Sequence, residues 1–267
     1  MLGQVQGSLT VDAIMTQREG LLTLNRSEES TVVQEDVRDL QVNQVPVINE
    51  GSVVGILVAC DHERRTLPDT EEFEPISPEW LVSVDTSIRR LIDILDDRQH
   101  PARFVIQENR VVGLVTYADL NKAVARTALY LLISRLEIKL ARLIRHGEKD
   151  IWTYIESLDE DRRDELARLR DKMTGNDVAH DLVEHFKLGD VIGIVRDEPS
   201  LLDQTEVSSR DHFNGLVGGI ESMRHDVAHS VKLVVEDVGS VGDVNHVCQS
   251  IEKLLTRIPS HPPGRKP

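Results

Sequence analysis

"VINEGSVVGILVACD" (residues 47–61) and "VIQENRVVGLVTYAD" (residues 105–119) superimpose without a gap at a shift of 58 residues. Seven of the fifteen positions are identical: Val47/Val105, Ile48/Ile106, Glu50/Glu108, Val53/Val111, Val54/Val112, Gly55/Gly113 and Asp61/Asp119. Each copy reads as an apolar strand, a tight polar turn, a second apolar strand, and a helix opened by the aspartate. Upstream of each copy, "LLTLNRSEESTVVQEDVRDL" (21–40) and "WLVSVDTSIRRLIDILDDR" (80–98) predict a short strand, a Ser/Thr/Asp cap and an amphipathic helix. Two units of strand–helix–strand–strand–helix therefore fill residues 8–125, with repeats at about 8–65 and 76–125, a pseudo-symmetric α/β module.

The chain around this repeat has 267 residues, enough for two domains. Its 31 Lys+Arg against 46 Asp+Glu give a formal charge of −15. That disfavours a surface that coats nucleic acid and leaves room for a basic groove on an acidic body. The acidic, arginine-rich mix reads equally as salt adaptation or as simple solubility. Cys60 and Cys248 stand far apart with no CxxC spacing, so neither a metal motif nor a disulfide framework is indicated. No apolar run reaches the roughly 18 residues a membrane span needs, and the N-terminus lacks a charged-then-apolar signal. The expectation is a cytoplasmic protein with a disordered tail, "PSHPPGRKP" (259–267).

The repeat, with "IMTQ" (14–17), "VPVI" (45–48) and "GLVTYAD" (113–119), resembles a tandem pair of CBS domains. The resemblance implies a regulatory adenine nucleotide, ATP, ADP or AMP, in the cleft between repeats. It assigns Thr116 to the phosphate and Asp119 to the ribose hydroxyls. A carboxylate can accept two hydroxyl donors, and a hydroxyl at a helix N-terminus sits where anions are favoured. The bland alternative makes Asp119 a helix N-cap. The first repeat keeps Asp61 but has Val58 where Thr is expected, so one competent site is predicted at Thr116/Asp119 and a weakened or empty one at Asp61. Leu81, Arg103 and Phe104 are candidate walls for the adenine.

Beyond residue 118 the strand pattern gives way to helical spacing, with apolar residues at 129, 132, 133, 136, 140 and 143. No Gly or Pro interrupts this run, so a continuous or gently bent helix is expected to leave the second repeat. Its other face carries Arg135, Lys139, Arg142, Arg145 and His146, a solvated face or a phosphate-binding stripe. Four or five helices are predicted over 126–258, giving an α/β module followed by an all-α bundle.

Late in the bundle, "ESMRHDVAHS" (221–230) places Arg224, His225, Asp226 and His229 within six residues. His225 and His229 at i,i+4 could share a metal, but no further ligands are spaced to complete a zinc site. A second reading is an ordinary helix with Met223, Val227 and Val231 inward. The third pairs Arg224 with His229, a fixed cation beside a group that titrates near neutrality, which suits metal-free phosphodiester cleavage. On an ideal helix the two point about 140° apart. Sharing one site therefore requires the helix to end or bend there, or a second subunit to complete it.

An Arg, a polar residue, and a His after four to six intervening positions, following "LVGGIESMRHDVAHS", is similar to the HEPN family. That resemblance implies a homodimeric, metal-independent endoribonuclease leaving a 2′,3′-cyclic phosphate. Arg224 would bind the scissile phosphate, His229 would act as general acid/base, and His225 would fill a polar position where Asn is commoner. The branch modified on a Tyr shortly after the His does not fit, because Ser230 and Val231 follow. The combined expectation is a CBS pair (8–125) regulating a HEPN-like domain (126–258) that cuts RNA, in a toxin-like or antiviral setting with an antitoxin or other regulator as partner. The alternatives are an adenine-nucleotide sensor whose bundle only dimerises or docks a partner, and a bundle that binds nucleotide or nucleic acid without cutting.

Overall fold

The computed structural model describes residues 2–59, 65–97, 99–174, 181–229 and 231–259. Among these, eight strands form two four-stranded sheets: β1 (Thr16–Gln17), β2 (Leu24–Asn25), β3 (Gln44–Asn49), β4 (Ser52–Val58), β5 (Glu74–Pro75), β6 (Leu81–Ser83), β7 (Ala102–Gln107) and β8 (Arg110–Thr116). The sheet orders are β2-β3-β4-β5 and β1-β8-β7-β6. The shift of 58 carries the β3–β4 hairpin onto β7–β8 residue for residue, down to matching register irregularities after Val47 and Val105. Both turns hold their shared glutamate in the left-handed region, Glu50 at φ 49° and Glu108 at φ 54°. β2 and β6 run parallel beside β3 and β7.

The same shift carries β1 onto β5, and here the repeats exchange material. β1 belongs by sequence to the first repeat yet pairs with β8, while β5 pairs with β4 of the first. This explains the shared glycines. A Cβ on Gly113 would stand 2.6 Å from the Thr16 carbonyl oxygen and 2.8 Å from Met15 Sδ. One on Gly55 would run into the Phe73 ring and the Glu74 carbonyl. Only a residue without a side chain lets the exchanged strand lie this close. The second core cluster also mixes the repeats, joining Ile56 of the first with Trp80, Ala102, Phe104 and Leu114.

Two units divide the chain. Gly7–Ala125 with Val235–Gly242 forms the α/β unit, and Arg126–Val234 with residues 2–6 and 243–259 forms the helical one. The units part at 125/126, and two short segments, 2–6 and 235–242, each join the unit to which their sequence neighbours do not belong. Gln6, at the N-terminal edge, accepts a bond from Arg135 NH1 at 2.7 Å. Val235 is held in the α/β unit by Asn121, whose amide donates to the Val235 carbonyl at 2.7 Å and accepts its N–H at 3.1 Å. Residues 260–267 of the expected tail lie outside the described residues.

Among the described residues the α-helices are α1 (Leu2–Gly7), α2 (Gln34–Asp39), α3 (Ile88–Leu95), α4 (Ala123–Arg145), α5 (Ile151–Ile155), α6 (Glu160–Thr174), α7 (Leu188–Asp197), α8 (Pro199–Asp203), α9 (Arg210–Val217), α10 (Ile220–Ala228) and α11 (Val238–Arg257). The bundle is thus cut into more pieces than the four or five expected. Gly218 and Gly219, the latter at φ 81°, separate α9 from α10. Gly193 and Gly189, by contrast, sit inside α7, because Leu188, Val191, Ile194 and Val195 bury a helical face that outweighs the glycine penalty. Nor does a helix run unbroken from residue 118. A 3₁₀ turn spans Tyr117–Asn121 and Lys122 is extended before α4 begins.

Gly113→Ala should therefore destabilise the protein by about 1–3 kcal/mol, the usual cost of overpacking, read by urea denaturation. Gly215→Ala, with open space around its Cβ in α9, should instead stabilise slightly. Wild-type stability in Gly113→Ala would contradict this account of the exchanged strand.

Candidate functional site

Within the α/β unit a cleft of about 370 Å³ opens between the repeats. Its lining includes Thr16 of the exchanged β1, Leu114 of β8, the apolar Leu21, Leu22 and Val42, and both Thr116 and Asp119. The volume falls in the range of small-molecule sites, about 300–1,000 Å³. Thr116 and Asp119 are also bound to each other. The Thr116 N–H donates to Asp119 Oδ2 at 2.7 Å, and its hydroxyl lies 3.2 Å from the same oxygen. Asp119 Oδ1 meets Lys122 Nζ at 2.7 Å, and that ammonium also donates to the Ile14 carbonyl at 2.6 Å.

Asp119 is therefore no N-cap. It stands inside the 3₁₀ turn and reaches back to the residue that opens it, the N3 role of a capping box. Its carboxylate has about four lone-pair directions, so these bonds leave capacity for a further donor on the cleft side. Leu81, Arg103 and Phe104 do not line the cleft. Phe104 is fully buried in the core and Leu81 packs against it. Arg103, 3% exposed, donates to the Ile94 carbonyl at 2.7 Å and to Asp97 at 3.3 Å, and burial pushes its guanidinium pKa down. Arg103 and Phe104 are neighbours on β7, which is buried on both faces from Ala102 to Val105, and no feature of the sequence distinguishes that from a cleft wall.

Asp61, the other expected aspartate, lies outside the described residues. The described part of the pseudo-equivalent region differs from the cleft. Where the cleft has Leu22 and Val42, the shift of 58 places Trp80 and His100, whose rings meet edge to face with centroids 4.9 Å apart. Trp80 is 2% exposed, and His100 Nδ1 lies 2.6 Å from Asp97 Oδ2, which lowers the Asp97 pKa.

In the helical unit, α10 ends at Ala228 and His229 is extended, with φ −100° and ψ 103°. Met223 and Val227 are buried, whereas Val231, expected inward on a continuing helix, is 93% exposed because the helix has stopped. The His225 and His229 rings lie with centroids 4.2 Å apart, both residues exposed. Arg224 is half-buried. Its NH2 sits 3.8 Å from Glu137 Oε1 of α4, and its Nε is buried without a hydrogen-bond partner. Among the described residues, no group of three or more His, Cys, Asp or Glu side chains is placed to hold a metal.

What ends α10 is a residue no motif marks. Arg126, 8% exposed on α4, donates from NH1 to the Lys232 carbonyl at 2.7 Å. Its NH2 donates to the carbonyls of Asp226, Val227 (3.1 Å) and His229 (2.6 Å). Those of Asp226 and Val227 are among the last four of the helix, which lack intrahelical partners and carry the negative end of its dipole. The basic stripe on α4 is likewise engaged: Arg135 bonds Gln6, Lys139 donates to the Leu255 carbonyl, and Arg145 pairs with Asp181. Burial, then Arg135 and Arg142, push the Lys139 pKa down. Arg142 and His146 of the same stripe are exposed.

Residues 72–126 match the family model of the CBS domain. A comparison with curated protein sequences finds no match. Among solved structures, the CBS domain of the bacterial CNNM/CorC family Mg2+ transporter in complex with ATP is 20% identical, covering 45% of this chain and 89% of that one, with a TM-score of 0.36. CBSX2 in complex with AMP is 21% identical over 45% and 96%, also with a TM-score of 0.36. CBS domains of a transcriptional regulator from Streptococcus pneumoniae are 20% identical over 42% and 95%, with a TM-score of 0.35. No helix among the described residues is long and apolar enough to cross a membrane.

Asp119→Ala should cost about 0.5–2 kcal/mol, the range for losing a helix-end cap, because it orphans the Thr116 N–H. Thermal or urea unfolding checks this, and an unchanged midpoint would mean the capping bonds contribute nothing.

Proposed function

We propose that the chain is an adenine-nucleotide-regulated, metal-independent endoribonuclease, with the nucleotide in the Thr116/Asp119 cleft and RNA cut at Arg224 and His229 of a homodimer. The observation that carries the catalytic half is the end of α10 at Ala228. It frees His229 from the helical angle that would otherwise turn it away from Arg224, and it leaves both histidines exposed. In the reaction, one base removes the 2′-hydroxyl proton and that oxygen attacks phosphorus. The P–O5′ bond breaks, and an acid protonates the departing 5′-oxygen, leaving a 2′,3′-cyclic phosphate. His229 suits either proton transfer. The guanidinium of Arg224 suits the extra negative charge on the non-bridging oxygens.

The cleft supports the nucleotide half: apolar walls for a base, and a buried carboxylate with spare acceptor capacity beside a hydroxyl. A ligand there regulates only by binding two arrangements of the protein with different affinity. One observation favours a second, non-catalytic reading, in which the bundle dimerises or docks a partner. Arg224 faces Glu137 at 3.8 Å, a counterion that would hold it as a structural residue.

RNA incubated in EDTA separates the two. Cleavage to cyclic-phosphate ends is expected from the wild type, reduced about 10²–10⁴-fold in His229→Ala and about 10²–10³-fold in Arg224→Ala. No cleavage with or without ATP, ADP or AMP would remove the ribonuclease reading.

A further inference from the structure

We propose that Arg126 is a positioning residue for His229, a clamp on the chain segment that carries it. The inference rests on the reading of His229 as the general acid/base. α10 ends at Ala228, and neither His229 nor residues 231–234 belong to a helix or strand. Arg126 holds this stretch through the carbonyls of Asp226, Val227, His229 and Lys232.

His229 itself is fixed on both sides of its α-carbon. Its N–H donates to the His225 carbonyl at 3.1 Å, and its own carbonyl accepts from Arg126 at 2.6 Å and from the Lys232 N–H at 3.0 Å. The first of these bonds closes the last helical turn. The other two draw the chain out of the helix, so the imidazole comes to rest against the His225 ring.

A guanidinium is needed for this because it presents five N–H donors in a rigid planar fork, which reaches carbonyls on either side of a turn. Lysine carries the charge to the same place as a compact point with three rotatable donors. Methionine keeps much of the buried stem and none of the donors. The clamp also bears on rate through geometry, as displacement of a reacting group by about 1 Å can cost about 10²-fold.

The test is nuclear magnetic resonance on full-length protein labelled with ¹³C in the histidine rings. The wild type should show a nuclear Overhauser contact between the His225 and His229 rings. Arg126→Met should lose that contact and Arg126→Lys should recover part of it. The His212 signal, from a ring beside Ser208 Oγ in the helical unit, and the His100 signal, from a ring beside Trp80 and Asp97 in the α/β unit, report whether each unit is folded. Should Arg126→Met not fold, the weaker Arg126→Lys variant decides the matter. In RNA cleavage the clamp variants should lower kcat about tenfold or more with little change in KM. Ring contact retained at full strength in the folded variants would overturn the clamp. Because that contact is measured without RNA, its outcome is separate from the fate of the ribonuclease reading.

Discussion

The α/β unit depends on a strand pressed against a residue with no side chain. β1 lies over Gly113 so closely that the Thr16 carbonyl occupies the space of a Cβ, and β5 does the same over Gly55. Each repeat is completed by the other's leading strand, so neither sheet reaches its four strands alone. The exchange also builds the site: Thr16 and Leu114, register partners across that pairing, both line the cleft. Remove the close approach and the cleft loses one of its sides.

The hairpins were legible because strand alternation, a polar turn and an internal repeat reinforced one another over fifteen residues. β1 and β5 were not, since two-residue strands carry no period, and their partners lie almost a hundred and about twenty residues away. Thr116 and Asp119 were visible as a motif and do reach the cleft, but the role of Asp119 as the inner half of a capping box depends on a turn that periodicity could not resolve from α4. The cleft walls Leu22 and Val42 had one available signal, the contrast with Trp80 and His100 at the same positions of the other repeat.

In the helical unit, the end of the helix after Ala228 was foreseeable only as a requirement of a shared Arg224/His229 site. Its cause is tertiary: a buried guanidinium a hundred residues earlier in the chain collects the carbonyls that the helix would otherwise leave unpaired. Arg126 is one arginine among many, and neither its burial nor its partners leave a trace in local sequence. The basic stripe shows the converse. Arg135, Lys139 and Arg145 looked available in sequence and are engaged within the unit.

The most direct test is the initial rate of RNA cleavage in EDTA across an ATP titration, compared with the Kd from calorimetry on the same preparation. The account predicts that the rate changes, in either direction, with a midpoint at that Kd. A measurable rate that stays flat while the cleft fills would contradict it.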